Sequence, residues 1–245
     1  MKTTNVFLPL KVLTGLSLLL VLGLASCEDD DDVIVIIDRE EDAQELMAYI
    51  LSYDTYGLVA HFDRIGEIVE DESDCGETTV NEDSESGSYN LYDYEYDLTE
   101  TYTLNCEPIL SVTYDLIGLQ TIEAENFGAL HEIVLAFTTT GLEESSMEEV
   151  HNGAYGRTGS WQSEVNDNGY SFEYDSSLTD VEVARETNQI QSGTGTFTLV
   201  QTYDADNTVY TYTGTLEFLN ADEVEVTYDN GESYVVDISN VSIKD

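Results

Sequence analysis

The sequence predicts a mainly β fold preceded by helices (α+β): an antiparallel meander of about eight to ten strands whose sheet curves into a half-barrel or barrel. Three observations predict it. Apolar residues recur at intervals of three and four from Asp38 to about Glu70, then at intervals of two from Cys75 onward. Asn-Gly pairs and Asp/Asn clusters separate the alternating runs. The chain has only two prolines, and neither Pro9 nor Pro108 interrupts a strand of the C-terminal meander. A sheet this wide must curl, and the helices are expected to cover its open face or one end.

Taken in order, residues 1–26 have the parts of an export signal. Lys2 and Lys11 make a positive start, and an apolar run from Val12 to Ala25 follows. That run is short for a transmembrane helix, which needs about 20 apolar residues. It ends in Leu24-Ala25-Ser26-Cys27, which resembles the lipobox of bacterial lipoproteins. The resemblance implies cleavage before Cys27, lipidation of its thiol and a membrane anchor. The alternative is an ordinary secreted protein whose signal ends at a cysteine. Glu28-Asp29-Asp30-Asp31-Asp32 follows at once. It reads as a solvated spacer, and it also resembles the surface-export signal of Bacteroidota lipoproteins, which implies the outer face of the outer membrane. Residues 27–37 are then a tether and 38–245 one domain, helical over 38–70 and β over 75–245.

Charge narrows the partners. The signal holds two of the seven basic residues and none of the 51 acidic ones, so the remaining 219 residues carry a formal charge of −46. Such a chain repels phosphate backbones, which need Lys and Arg to release counterions, and nucleic acid is excluded as a partner. An anionic membrane attracts it only through the lipid. High charge alone would suggest disorder, but 41% hydrophobic residues in regular alternation predict a folded domain with an acidic outer face. With Cys27 assigned to lipid, Cys75 and Cys106 remain as an even pair in an oxidising compartment. Bridged, they close a loop of about 30 residues, worth roughly 3–4 kcal/mol; the alternative is two buried thiols.

In the helical segment Ala43, Leu46, Met47 and Ile50 share one face, and Leu58, Phe62, Ile65 and Val69 resume it after a break near Asp54–Gly57. Glu40, Glu41 and Asp42 sit where a helix N-terminus favours negative charge. The clearest strand is Tyr92 to Cys106. Its even positions are Tyr92, Tyr94, Tyr96, Leu98, Glu100, Tyr102, Leu104 and Cys106, and its odd positions are acidic or carry hydroxyl or amide groups. Further alternating runs lie at Val112–Leu116, Ile133–Phe137, Tyr170–Tyr174, Phe197–Leu199, Tyr210–Phe218, Val224–Tyr228 and Tyr234–Ile238, with Asn168-Gly169 and Asn230-Gly231 as hairpin turns.

Several short patterns occur in a fixed order. They are Asp74-Cys75-Gly76, Asn105-Cys106, Gly141-Leu142-Glu143, Gly153-x-Tyr155-x-Arg157-x-Gly159, Ser192-Gly193-Thr194-Gly195-Thr196 and Thr213-Gly214-Thr215. Together, over about residues 40–240, they resemble a family of Tyr/Thr/Gly-rich β lipoproteins of Bacteroidota of unknown function. The resemblance implies fold and location and carries no catalytic residue.

Candidate chemistry is sparse. There is no Gly-x-Ser-x-Gly elbow, and nothing points to a triad around His61, His131 or His151. His131-Glu132-Ile133-Val134-Leu135 starts like a helical zinc motif, but Leu135 stands where the second histidine belongs, and the stretch reads as strand. Gly193-x-Gly195 lacks a third glycine and a following helix. Oxygen-rich clusters at Asn81–Glu85, Asn166–Asn168, Asp204–Asn207 and Asp229-Asn230 could supply Ca²⁺ ligands, none with EF-hand spacing. Asn, Asp and Gly are also ordinary turn formers, so no metal site is assigned. Most of the 17 tyrosines are expected in the core. Trp161 follows the glycine-rich segment and is the candidate exposed aromatic for stacking a ligand. Arg157 is expected to be ion-paired, with anion binding as the alternative. The sequence thus favours a non-enzymatic envelope or cell-surface lipoprotein that binds a ligand or partner. The alternative is a structural or adhesive, calcium-stabilised component. A hydrolase using paired carboxylates has least support.

Overall fold

The computed structural model describes residues 39–71, 75–89, 92–124, 127–162 and 169–244. The signal 1–26, Cys27, the tether 27–37 and the cluster Asn166-Asp167-Asn168 lie outside the described residues.

Among the described residues two helices come first, α1 (Arg39–Leu51) and α2 (Ala60–Asp71). The turn between them closes tightly. The Gly57 N–H donates to the Ser52 carbonyl at 2.9 Å, and a Cβ on Gly57 would stand 2.5 Å from the carbonyl oxygens of Ile50 and Ser52. Only glycine lets the backbones approach so closely.

Eleven strands follow: β1 (Thr78–Tyr89), β2 (Tyr92–Asn105), β3 (Ser111–Ala124), β4 (Phe127–Thr140), β5 (Glu148–Gln162), β6 (Gly169–Ala184), β7 (Gln189–Tyr203), β8 (Val209–Asn220), β9 (Glu223–Tyr228), β10 (Ser233–Asp237) and β11 (Ser242–Lys244). They form one antiparallel sheet in chain order, and β1 and β11 do not pair. The sheet is therefore an open half-barrel, and the closed-barrel alternative is set aside. The Cys75–Cys106 disulfide is present, with Cα atoms 5.7 Å apart, and it clamps the open end of the β1–β2 hairpin.

The curl can be read from one side chain. Phe62 of α2 lies against Phe137 of β4 at 5.6 Å, His151 of β5 at 4.8 Å and Phe218 of β8 at 6.3 Å, centroid to centroid. Strands four places apart stand about 19 Å from each other in a flat sheet. One ring can meet both only if the sheet wraps around the helix. Register shifts in the β5–β6, β6–β7 and β8–β9 pairs mark where extra residues bend it.

The helices occupy the concave side. In α1, Ala43 and every residue from Leu46 to Leu51 are buried, so the second half of this helix is enclosed all round. Tyrosine hydroxyls pin its first turn. Tyr170 of β6 donates to the Asp42 carbonyl, Tyr203 of β7 to the Asp42 carboxylate and Tyr212 of β8 to the Arg39 carbonyl, each at 3.1 Å. The predicted alternation holds in β2, where Tyr96, Leu98, Glu100, Tyr102 and Leu104 are buried.

Three strands escaped the hydrophobic period. In β1, Asn81–Glu85 is strand rather than ligand-bearing loop, and as an edge strand it is largely exposed. The inward positions of β5 hold Glu149, His151, Tyr155, Arg157 and Trp161, interrupted by Gly153 and Gly159, so charge and glycine hide the alternation. β11 is three residues long.

Candidate functional site

A cleft of about 1090 Å³ opens where the two ends of the sheet face each other. That is the scale of a small-molecule site, about 300–1,000 Å³. One wall comes from β1–β3, through Glu85, Tyr94, Tyr96, Gln120 and Ile122. The opposite wall runs from Ser239 to Ile243, into β11. Helix α1 contributes Glu41, Glu45 and Tyr49, the interhelical turn contributes Tyr53–Tyr56, and α2 contributes Asp63 and Arg64. The cleft exists because the sheet stays open and the helices fill only part of its concavity.

Two aromatic groups line it. Tyr56 stacks on Tyr96 at 4.7 Å, and Tyr96 runs parallel to Tyr94 at 6.2 Å. Glu85 orders this ladder by accepting from Tyr96 Oη at 2.6 Å and Tyr94 Oη at 3.1 Å. Burial pushes the Tyr56 hydroxyl up to about 12, with Glu100 and Asp83 adding to it. Burial and the Glu85 hydrogen bond raise Tyr96 in the same direction. Both phenols stay neutral. Across the cleft, Tyr49 meets Trp161 edge-on at 4.6 Å.

The polar lining is mostly acidic: Glu41, Glu45, Asp54, Asp63 and Glu85. Among the described lining residues Arg64 is the one lysine or arginine, and it is committed to Glu100. Its Nε and Nη2 donate to the two carboxylate oxygens at 2.9 and 2.8 Å, and Tyr114 Oη donates to Oε1 at 2.8 Å. Burial works to raise the Glu100 carboxyl, but these hydrogen bonds and the Arg64 charge outweigh it and hold it below its ordinary range.

Gln120 forms part of the floor. Its Nε2 donates to the Thr55 carbonyl at 3.1 Å, and its Oε1 accepts from Arg157 Nη2. Arg157 Nη1 reaches Tyr155 Oη at 3.4 Å, and the guanidinium lies 5.0 Å from the centre of the Tyr49 ring.

Two expectations are corrected here. Trp161 is 4% exposed, wedged between Tyr49 and His131. It lines the cleft by its edge and offers no open platform. Arg157 is not ion-paired among the described residues; its hydrogen-bond acceptors are an amide and a phenol. The clusters Asp204–Asn207 and Asp229-Asn230 are turns whose carboxylates serve their own backbone and neighbours. Asp206 Oδ1 accepts from the Thr208 N–H at 2.9 Å, and Asp229 Oδ2 from Thr213 Oγ1 at 2.6 Å. Among the described residues no three His, Cys, Asp or Glu side chains converge as a metal site. His131 and Glu132 alternate inward and outward on β4 and cannot share a helical zinc face.

The histidines are interior groups. Burial holds His151 down at about 3. Burial and the Arg157 charge hold His61 at about 3 and His131 well below its ordinary value. Thr139 Oγ1 lies 2.8 Å from His151 Nδ1, and Glu149 lies 3.8 Å from its Nε2. This line has the composition of a hydroxyl–imidazole–carboxylate relay, but it is buried and none of the three lines the cleft.

The sequence singles out Trp161 and expects most tyrosines in the core, but it does not single out Gln120, Tyr49 or the seam that joins them. No protein-family model matches the chain, and no curated protein and no solved structure is similar to it.

Proposed function

We propose that this protein is a non-enzymatic envelope lipoprotein, anchored through Cys27 on the outer membrane and displayed at the cell surface. Its β half-barrel binds a ligand in the seam cleft. The observation that carries the reading is the cleft itself: about 1090 Å³, walled by Tyr49, Tyr56, Tyr94, Tyr96 and Trp161. Aromatic walls with a few fixed polar groups suit an apolar or amphipathic molecule. The resemblance to Bacteroidota lipoproteins and the acidic run after Cys27 support the location.

Trp161 is the sole tryptophan, so its fluorescence reports on the cleft. The test is titration of the mature chain, carrying Cys27→Ser to remove the acyl groups, with the neutral apolar dye N-phenyl-1-naphthylamine. Saturable quenching of Trp161 by energy transfer, weakened by Tyr96→Ala, supports the reading. Absence of saturable quenching removes it.

One observation favours a structural or adhesive role instead. Ile117, Leu119, Leu130 and Val134 are exposed together on the outer face of β3 and β4, with Ile117 directly opposite Val134. Exposed apolar clusters of this kind mark contact surfaces. If calcium stabilises such a component, its melting temperature rises in millimolar Ca²⁺, and an unchanged melt removes the calcium part.

A further inference from the structure

Arg157 is 0% exposed, and its Nε has no hydrogen-bond partner among the described residues. The neighbouring His61 is equally buried, and both its ring nitrogens lack hydrogen-bond partners among the described residues. A guanidinium stays protonated in any protein, so its charge is carried into the interior. A buried ion is strongly unfavourable unless a counter-ion and full hydrogen bonding compensate it. This chain has 51 carboxylates, yet among the described residues none pairs with Arg157. Its partners are Gln120, Tyr155 and the face of Tyr49. Two of these, Gln120 and Tyr49, also line the cleft. The guanidinium therefore sits one side chain behind the cleft floor, and Gln120 is the plug.

We propose that the cleft takes a carboxylate borne on an apolar body, whose head displaces the Gln120 amide and pairs with Arg157 while its body lies along Tyr49, Tyr56, Tyr96 and Trp161. The proposal rests on reading the cleft as a ligand site. A carboxylate matches the guanidinium fork with two parallel hydrogen bonds, where the Gln120 amide supplies one oxygen. The acidic rim shapes the kinetics. Glu41, Glu45, Asp54, Asp63 and Glu85 repel an anion in transit, and salt screens that repulsion. Association of an anionic ligand therefore speeds up as ionic strength rises, the reverse of a cationic ligand drawn in by the rim.

The experiment displaces N-phenyl-1-naphthylamine from the mature Cys27→Ser chain with decanoate, decanol and decyltrimethylammonium, three heads on one chain length. N-acetyl-trileucine as free acid and as amide distinguishes a peptide terminus from an acyl chain. Decanoate, or the free-acid peptide over its amide, is expected to win by roughly 10- to 100-fold, the range of a hydrogen-bonded charge pair. Arg157→Met is expected to erase that preference, so that decanoate displaces the dye from the variant no better than decanol does. Equal displacement by decanol, preference for the cation, or a preference that survives Arg157→Met overturns the proposal. If Arg157→Met does not fold, the ranking on the unsubstituted chain and the sign of the salt effect decide. A dye that fails to bind at all sinks the cleft reading first, so the two failures are distinguishable.

Discussion

Removing the Cys75–Cys106 bridge tests how the first edge of the sheet is held. The cysteines are 31 residues apart. In the chain-entropy model a loop of that length contributes about 3.7 kcal/mol by restricting the unfolded chain. The folded side points the same way. β1 is an edge strand paired only to β2, and its one aliphatic residue, Val80, is exposed. Little apolar burial backs up the ladder, and the bridge closes the ladder's open end beside the Gly76 N–H to Leu104 carbonyl bond of 2.7 Å. The perturbation is Cys75→Ala with Cys106→Ala. Urea unfolding followed by Trp161 fluorescence is expected to lose about 3–4 kcal/mol. Amide exchange in Thr78–Tyr89 is expected to accelerate more than exchange in β6. Because Glu85 and Ser88 of β1 line the cleft, dye binding should weaken as well. A loss under about 1 kcal/mol, far below the chain-entropy expectation, with β1 exchange unchanged, refutes the reasoning.

Other consequences follow from buried polar groups and close backbone approach. The unfolded chain binds protons on histidine below about pH 6.5, while folded His61 and His151 resist protonation down to about 3. Their stabilisation is complete above pH 6.5 and declines as pH falls, by about 2 kcal/mol per histidine between pH 7 and 5; His151→Gln should flatten that slope in urea melts at the two pH values, and an unchanged slope contradicts it. Arg64 is 34% exposed and Glu100 2%, so breaking their pair is asymmetric. Arg64→Met strands a buried carboxylate and should cost about 3 kcal/mol, whereas Glu100→Gln leaves an arginine that can reach water and should cost about half that; equal losses would remove the asymmetry. Gly57→Ala drives a methyl against the Ile50 and Ser52 carbonyls and should cost about 1–3 kcal/mol in thermal melts, with no loss meaning that the turn relaxes freely.

What the sequence disclosed follows from where hydrophobic burial dominates. Tyr92 to Cys106 was legible because β2 has one wet face and one buried face. β5 was not, since Arg157, His151 and two glycines occupy inward positions where a period search looks for aliphatics. Its even position alone puts Glu100 on the buried face, and the reason it tolerates burial, the Arg64 and Tyr114 bonds, arises only in three dimensions. The cleft was illegible for the same reason. Glu41, Tyr96, Gln120, Trp161 and Ile243 are far apart in the chain and meet only because the sheet curls and stops short of closing. The expected ion pair for Arg157 follows from the abundance of carboxylates, but most strand carboxylates point outward, and the inward-facing Glu100 and Glu149 lie against Arg64 and Arg185 instead.

The location of a bound apolar ligand tests the central claim most directly. A photoactivatable diazirine on a ten-carbon chain, irradiated with the mature protein and mapped by peptide mass spectrometry, reports where that ligand lies. Labelling concentrated on Tyr49–Tyr56 and Tyr94–Tyr96, and competed by N-phenyl-1-naphthylamine, is the result the cleft predicts. Labelling of the outer β3–β4 face around Ile117 and Val134, with the cleft peptides unmodified, would contradict it.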